Sequence, residues 1–133
     1  MLKFEPQEIW IDRDCQSTAM VSRLKTTLPH VPLQVVEQGH EGVSLTASPA
    51  VSFGAAKKRL YVAKQKGEFL KKCPGSDGQV CCNYFVINFA SNCPMDCSYC
   101  YLQEYLAHNP ALKVFANVDD LLAEADELLN KHR

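Results

Sequence analysis

Three cysteines in one short segment carry the clearest chemical signal in the chain. Cys93, Cys97 and Cys100 stand at C-x3-C-x2-C spacing within the run NCPMDCSYCY of residues 92–101. Thiolates at this spacing can hold three corners of an iron–sulfur cubane, and such clusters normally take four cysteine ligands. A triplet without an obvious fourth cysteine leaves one iron open to a substrate or cofactor. The segment therefore predicts a reactive cluster.

The triplet, with an aromatic residue directly before its third cysteine, resembles the signature of the radical S-adenosylmethionine enzymes. Neighbouring segments narrow the likeness: KGEF at 66–69, KCPG at 72–75, CCNY at 81–84 and LQ at 102–103. With these segments the chain resembles the spore photoproduct lyase family over about residues 57–106. That family repairs a UV-induced thymine dimer in spore DNA by radical reversal. The resemblance therefore implies a DNA-repair lyase.

The resemblance also implies cofactors and site residues. Cys93, Cys97 and Cys100 would ligate a [4Fe–4S] cluster, and S-adenosylmethionine would chelate the fourth iron. One electron, from a donor such as flavodoxin or ferredoxin, would cleave this cofactor to a 5′-deoxyadenosyl radical, while the protein supplies binding and orientation. Tyr99 is expected near the adenine, and Tyr99 and Tyr101 are expected to assist hydrogen return to the radical. For Tyr101, ordinary aromatic packing is an equally good interpretation.

Other functions are compatible with the same residues. His108 is close enough in sequence to complete a zinc site, although structural zinc more often uses paired C-x2-C knuckles. Cys73, Cys81 and Cys82 could form a second metal site, but packing as small buried side chains is favoured, as it is for Cys15. The scaffold could also serve another radical substrate, or be a truncated, non-catalytic iron–sulfur or zinc-binding remnant, because family likeness fixes the cofactor better than the substrate.

Length limits how much of such an enzyme 133 residues can contain. A radical S-adenosylmethionine barrel needs about six strand–helix units of roughly 30 residues each, and only the first unit and the start of the second are predicted after residue 84. We therefore expect the N-terminal portion of a longer enzyme. The hydrogen-donor cysteine, the remaining cofactor contacts and the DNA-contacting elements of the family have no counterpart, so only cluster binding is predicted for the isolated chain.

The hydrophobic pattern predicts an α/β fold in three segments. Residues 1–52 are expected to form a small N-terminal β-α-β layer, residues 53–83 a connecting strand and a Cys/Gly/Pro loop, and residues 84–133 further strand–helix units. The resemblance implies that these last units are the first ones of a partial (β/α) radical S-adenosylmethionine barrel.

Individual elements follow from periodicity and turn signals. Residues 7–12 and 32–37 are predicted strands, joined by a helix that Asp14 or Ser17 caps. A third strand is predicted at 59–64. The later elements are a strand at 84–89, a helix at 99–107, a strand at 113–118 and a helix at 119–131.

The strand at 84–89 is the strongest of these predictions. Its residues are apolar on both faces apart from Asn88, which is typical of an inner barrel strand covered by helices. The triplet follows this strand directly. Since parallel α/β folds carry their chemistry at the carboxyl ends of the strands, the cysteines are expected at that end.

Charge and cysteine content limit the partners and the compartment. Fourteen Lys and Arg against fifteen Asp and Glu give a net charge of −1, which is no global signal for nucleic acid. Basic residues crowd residues 57–72, where a solvated lysine face is favoured over a phosphate-binding patch. DNA is an expected partner mainly through elements outside this chain. Seven cysteines without a signal peptide or a membrane-spanning run of about 18 residues predict a metal-binding protein of the cytoplasm.

Overall fold

The computed structural model describes residues 4–37, 53–75, 78, 80, 84–95, 97–105 and 110–131. These residues form a mixed, mostly parallel five-stranded sheet and a separate two-stranded ribbon. The strands are β1 (Glu8–Asp12), β2 (Leu33–Val36), β3 (Arg59–Ala63), β4 (Leu70–Lys72), β5 (Phe85–Ile87), β6 (Ala90–Ser91) and β7 (Leu112–Phe115). The helices are α1 (Ala19–Thr27), α2 (Phe53–Lys57) and α3 (Val118–Lys131), with 3-10 turns at Arg13–Cys15 and Tyr101–Gln103.

The first elements form the β-α-β unit that the sequence predicts. β1 and β2 run parallel, with Ile11 opposite Val35, and α1 connects them. Ile9 and Ile11 are almost fully buried because their shared face of β1 packs under α1, where Val21 joins the same cluster. Alternate apolar positions of a strand therefore build the core here, as the pattern indicates.

The start of α1 differs from the prediction. Asp14 lies within the 3-10 turn before the helix, and Thr18 rather than Ser17 is the residue that precedes it. The Thr18 hydroxyl donates to the Cys15 carbonyl at 2.7 Å, so it ties the turn to the helix. Several short polar residues in a row are all good caps, which is why sequence spacing did not separate them.

The sheet has the strand order β2-β1-β3-β7-β6. β1, β2, β3 and β7 are parallel, whereas β6 runs antiparallel to β7 with Ser91 opposite Lys113. Residues 52 and 83 are the boundaries between the three predicted segments. Strands from all three segments thus pair within one sheet: β1 and β2 come from the first, β3 from the second, and β6 and β7 from the third. The three-segment division of the chain remains a prediction.

Both faces of this sheet are covered. The face under α1 carries Ile9, Ile11 and Val62, and the opposite face carries Tyr61 and Phe115. The other side chains packed on this second face are Phe69, Trp10, Val36 and Leu121. The result is a three-layer α/β arrangement, the class that the hydrophobic pattern predicts.

Helix α3 is less buried than its sequence suggests. Its half-buried stripe includes Leu121, Ala125 and Leu128, while Leu122 and Leu129 are 57% and 67% exposed. The first turn carries two aspartates, which suit the positive end of the helix dipole. The predicted helix is therefore confirmed, but the described residues cover only part of its apolar face.

The carboxylate of Glu124 on α3 positions the two-stranded ribbon. Its two oxygens accept from the backbone N–H groups of Phe69 and Leu70, at 2.9 and 2.8 Å. Charge-assisted hydrogen bonds of this kind are stronger than neutral ones. The start of β4 is thus fixed to the helix, and β5 then pairs antiparallel with β4.

Residues 84–89 are the main departure from the predicted fold. Only Phe85–Ile87 are extended, as β5, and they belong to the ribbon. Tyr84, Ile87 and Phe89 are 71%, 58% and 49% exposed, so the prediction of a buried inner strand is wrong for the described residues. A two-sided apolar pattern leads to burial only where layers cover both faces, and the described layers leave this segment open.

Two further predictions are met only in part. The predicted helix at 99–107 is reduced to the short turn Tyr101–Gln103 among the described residues, and residues 106–109 lie outside them. The predicted strand at 113–118 is β7, which ends at Phe115 because α3 begins at Val118. Residues 38–52, the last part of the predicted N-terminal layer, lie outside the described residues. Within the described part of the chain, every helix is too short or too polar to cross a membrane.

We expect the buried thiol of Cys15 to make the fold sensitive to alkaline pH. Cys15 is 1% exposed, and burial, with Asp12 and Asp14 nearby, raises its pKa from 9.0 to about 11. The folded state holds the proton more tightly than the unfolded chain does, so the contribution of Cys15 to stability is fully present below pH 9 and is lost between pH 9 and pH 11, by about 2–3 kcal/mol.

Urea unfolding of wild type and Cys15→Ala across this range measures the effect. Wild type should lose more stability than the variant between pH 9 and pH 11, because only wild type carries the Cys15 thiol. The other alkaline groups titrate in both proteins, so their effect cancels in the comparison. Parallel pH curves for the two would contradict the prediction.

Candidate functional site

The cysteine triplet lies at the amino-terminal end of the parallel strands. β6 leads into it and runs antiparallel to β7, so the chain leaves β6 beside the start of β7. The side chain of Asn92 accordingly donates to the carbonyl of Ala111, directly before β7, at 2.7 Å. The expectation that the triplet sits at the carboxyl end is therefore wrong, because the strand before it is reversed relative to its neighbours.

Asn92 sets the direction in which the cysteine loop leaves the sheet. Its φ of 70° lies in the left-handed region, which asparagine tolerates better than most residues. Its amide satisfies the carbonyl of Ala111, a residue that is 1% exposed. Further along the loop, the N–H of Cys100 donates to the carbonyl of Cys97 at 3.1 Å and closes a turn between two of the cysteines.

A second anchor holds the middle of the loop. The ammonium of Lys57, at the end of α2, donates to the carbonyl of Met95. Met95 is the central residue of the C-x3-C spacer. The loop is thus attached to the amino end of the sheet both before its first cysteine and between its first and second cysteines.

The three cysteines are half-buried thiols on this one loop. Among the described residues, no three His, Cys, Asp or Glu side chains converge as ligands of a single ion. In a cubane each thiolate ligates a different iron, so its thiolates stand further apart than the ligands of one ion. Three accessible soft donors on a short loop therefore fit the corners of a cluster. The zinc alternative through His108 concerns a residue outside the described part of the chain.

A cavity of about 790 Å³ adjoins the loop. Pro94, Met95 and Cys97 form one wall, and residues 4–7, residues 30–32 and Lys58 form the others. The volume is within the range of roughly 300–1,000 Å³ that is typical of small-molecule sites. One cysteine of the triplet therefore faces a space large enough for a cofactor.

The two tyrosines of the predicted site are almost fully exposed. Tyr99 is 90% and Tyr101 is 95% accessible. The packing interpretation of Tyr101 thus has no support among the described residues. A role of either tyrosine at the adenine or in hydrogen return stays a prediction.

The remaining cysteines divide into two groups. Cys15 is buried in the core under α1, which confirms the packing interpretation. Cys73 is half-buried beside the ribbon, where its N–H donates to the carbonyl of Tyr84 at 2.9 Å. Cys81 and Cys82 lie outside the described residues, so a second metal site remains untested.

The basic residues at 57–72 do not form one face. Arg59 pairs with Glu8 at 2.9 Å and lies 5.0 Å from the centre of the Trp10 ring. Lys57 is 2% exposed. The solvent-exposed members are Lys58, Lys64, Lys66, Lys71 and Lys72. These five lysines are solvated as predicted, whereas Lys57 is buried.

Two residues of the site were not found from the sequence. Asn92 precedes the first cysteine, and an asparagine between a strand and a loop is a recognisable signal for a left-handed turn. Lys57 gives no such signal, because it stands beside Lys58 and Arg59 in a run that is typical of a surface. Only tertiary contacts distinguish it.

Comparison with known proteins gives a consistent set of relatives. A family model described as "Spore photoproduct lyase" matches residues 4–133. The spore photoproduct lyase of Geobacillus sp. (strain Y412MC61) is 36% identical over 47 residues, which cover 35% of this chain and 14% of that protein. That of Clostridium acetobutylicum is 31% identical over 84 residues, covering 63% of this chain and 23% of that protein.

Solved structures show the same fold. A spore photoproduct lyase complexed with dinucleoside spore photoproduct superimposes with a TM-score of 0.70 at 24% identity, covering 96% of this chain and 37% of that chain. A mutant with bound AdoMet and dinucleoside spore photoproduct gives 0.71 at 22% identity, with the same coverage. The chain thus spans little more than a third of the solved structures that it matches.

Proposed function

The chain belongs to the spore photoproduct lyase family, and we propose on this premise that it is the cluster-binding portion of a radical S-adenosylmethionine lyase. In the whole enzyme, residues 84–133 begin the partial barrel and the substrate is a UV-induced thymine lesion in DNA. The observation that carries the proposal is the loop that brings the half-buried thiols of Cys93, Cys97 and Cys100 together beside a cofactor-sized cavity.

The residues of the chain have distinct roles in this proposal. Cys93, Cys97 and Cys100 hold three irons, and Asn92 fixes the path of the loop before them. When bound, a [4Fe–4S] cluster with S-adenosylmethionine would supply one-electron reductive chemistry. Tyr99 would contact the adenine, and its neighbour across the third cysteine, Tyr101, would assist the return of hydrogen.

The proposed partners follow from the family. Relatives have been solved with dinucleoside spore photoproduct, which supports a DNA lesion as the substrate class of the whole enzyme. A flavodoxin or ferredoxin in the cytoplasm supplies the electron. Since this chain spans 37% of those structures, lesion reversal needs parts beyond residues 1–133, and the activity proposed for the chain itself is cluster and cofactor binding.

Electron paramagnetic resonance of the reconstituted chain tests this function. Reduction by dithionite should give the signal of a one-electron-reduced cluster. S-adenosylmethionine should change that signal, because three cysteines leave the fourth iron of the cluster without a thiolate and open to the cofactor. S-adenosylmethionine should leave the signal of a four-cysteine ferredoxin unchanged, which provides the control. A signal in this chain that is equally insensitive would mean that a fourth ligand closes the cluster and would contradict the proposed cofactor.

A further inference from the structure

Lys57 is a buried cation beneath the cysteine loop. It is 2% exposed and is the largest of the fully buried side chains among the described residues. Lysine is almost never fully buried unless it is paired, because an ammonium loses much hydration free energy when it leaves water. Its Nζ donates to the carbonyl of Met95, 38 residues further along the chain. The charge is therefore held against the loop rather than in solvent.

The backbone on either side of Lys57 is fixed. Ala56 before it is 0% exposed, and the N–H of Lys58 after it donates to the carbonyl of Ala55 at 3.1 Å. The carbonyl of Lys58 in turn accepts from the N–H of Gln7 at 2.8 Å, which ties this point to the start of β1. The ammonium thus projects from a rigid part of the fold.

The position of Met95 gives this contact its significance. Cys93 and Cys97 are each two residues from Met95, so their Cα atoms lie within about 8 Å of its Cα atom. We propose that Lys57 is a positioning residue of the cluster site: its buried ammonium holds the C-x3-C segment in place and raises the reduction potential of the cluster. The inference rests on the proposed function, since it requires a cluster in this loop.

The electrostatic part follows from the sign of the charge. Cluster potentials depend on net charge, hydrogen bonding and solvent exposure. Reduction adds one negative charge to the cluster, and a fixed positive charge stabilises the reduced form more than the oxidised form. The Debye length is about 10 Å at 0.1 M salt, and buried charges such as the Lys57 ammonium are screened less than exposed ones. The effect should therefore persist at physiological ionic strength.

Redox titration of reconstituted variants tests the proposal. Lys57→Met removes the charge and the hydrogen bond, Lys57→Gln removes the charge alone and covers the case in which the methionine variant does not fold, and Lys57→Arg keeps the charge. Lys25→Met is the matched control, because Lys25 also lies in the last turn of a helix but is exposed. Circular dichroism of the metal-free proteins establishes which variants are folded.

We expect the neutral variants at Lys57 to lower the midpoint potential by at least 59 mV, a tenfold change in the one-electron equilibrium. Lys57→Arg should restore most of the wild-type potential, and Lys25→Met should equal wild type. Folded neutral variants that bind iron fully and titrate at the wild-type potential would overturn this inference and leave the proposed function standing. A wild-type chain that takes up no iron would instead overturn the proposed function.

Discussion

Cys97→Ala reduces the iron of the anaerobically reconstituted chain from roughly four atoms per chain to background. A cubane held by three cysteines loses a third of its protein ligands in this variant, and an iron with neither thiolate nor S-adenosylmethionine is labile. Cys97 also forms part of the cavity wall. The N–H of Cys100 donates to its backbone carbonyl, which alanine keeps, so the variant removes the thiolate and leaves the turn of the loop in place. Iron and acid-labile sulfide assays on the desalted protein measure the loss.

Cys73→Ala is the matched control for this variant. Cys73 is also a half-buried thiol, but it lies beside the ribbon rather than in the loop. It should keep the iron content of wild type. Equal iron in the Cys97 and Cys73 variants, whether high or low, would show that the triplet is not the ligand set.

Val62→Ala should lower the free energy of unfolding by about 1.5–3 kcal/mol, the value of a fully buried valine side chain. Val62 is 0% exposed in the middle of β3, where it lies opposite Ile11 and under α1. A domain is stable by only about 5–15 kcal/mol, so this single change removes a large fraction of the total. Urea denaturation of the metal-free protein gives the difference.

Val35→Ala provides a control at the same row of the sheet. Ile11 of β1 has Val62 of β3 on one side and Val35 of β2 on the other, but Val35 is 46% exposed. Its truncation should cost less than half as much as that of Val62. Equal losses would mean that α1 does not cover the sheet as described.

Local pattern was sufficient for the elements whose partners are close in sequence. Ile9 and Ile11 alternate on β1, and α1 with β2 follows within 25 residues, so periodicity was sufficient to define the unit. The cysteine spacing likewise identified the loop, since cluster ligation depends on side chains that are neighbours in the chain. These parts needed no knowledge of tertiary contacts.

Strand direction and burial of charge depend on contacts that sequence does not encode locally. β6 is two residues long, and its antiparallel pairing with β7 moves the triplet to the opposite end of the sheet from the one predicted. Lys57 is buried because α2 and the loop meet over it, although its neighbours in sequence are solvated. Periodicity cannot report either fact, because both arise between segments about 20 to 40 residues apart.

The metal that the wild-type chain selects is the most direct test of the account. The metal-free protein is incubated anaerobically with iron and sulfide in one sample and with zinc in a second, because zinc outcompetes ferrous iron for thiolates in a mixture; both samples are then desalted and analysed for metal. We expect brown protein that absorbs broadly near about 400 nm and contains roughly four irons and four sulfides per chain. One zinc per chain with no iron would contradict the cluster site, and with it the proposed function.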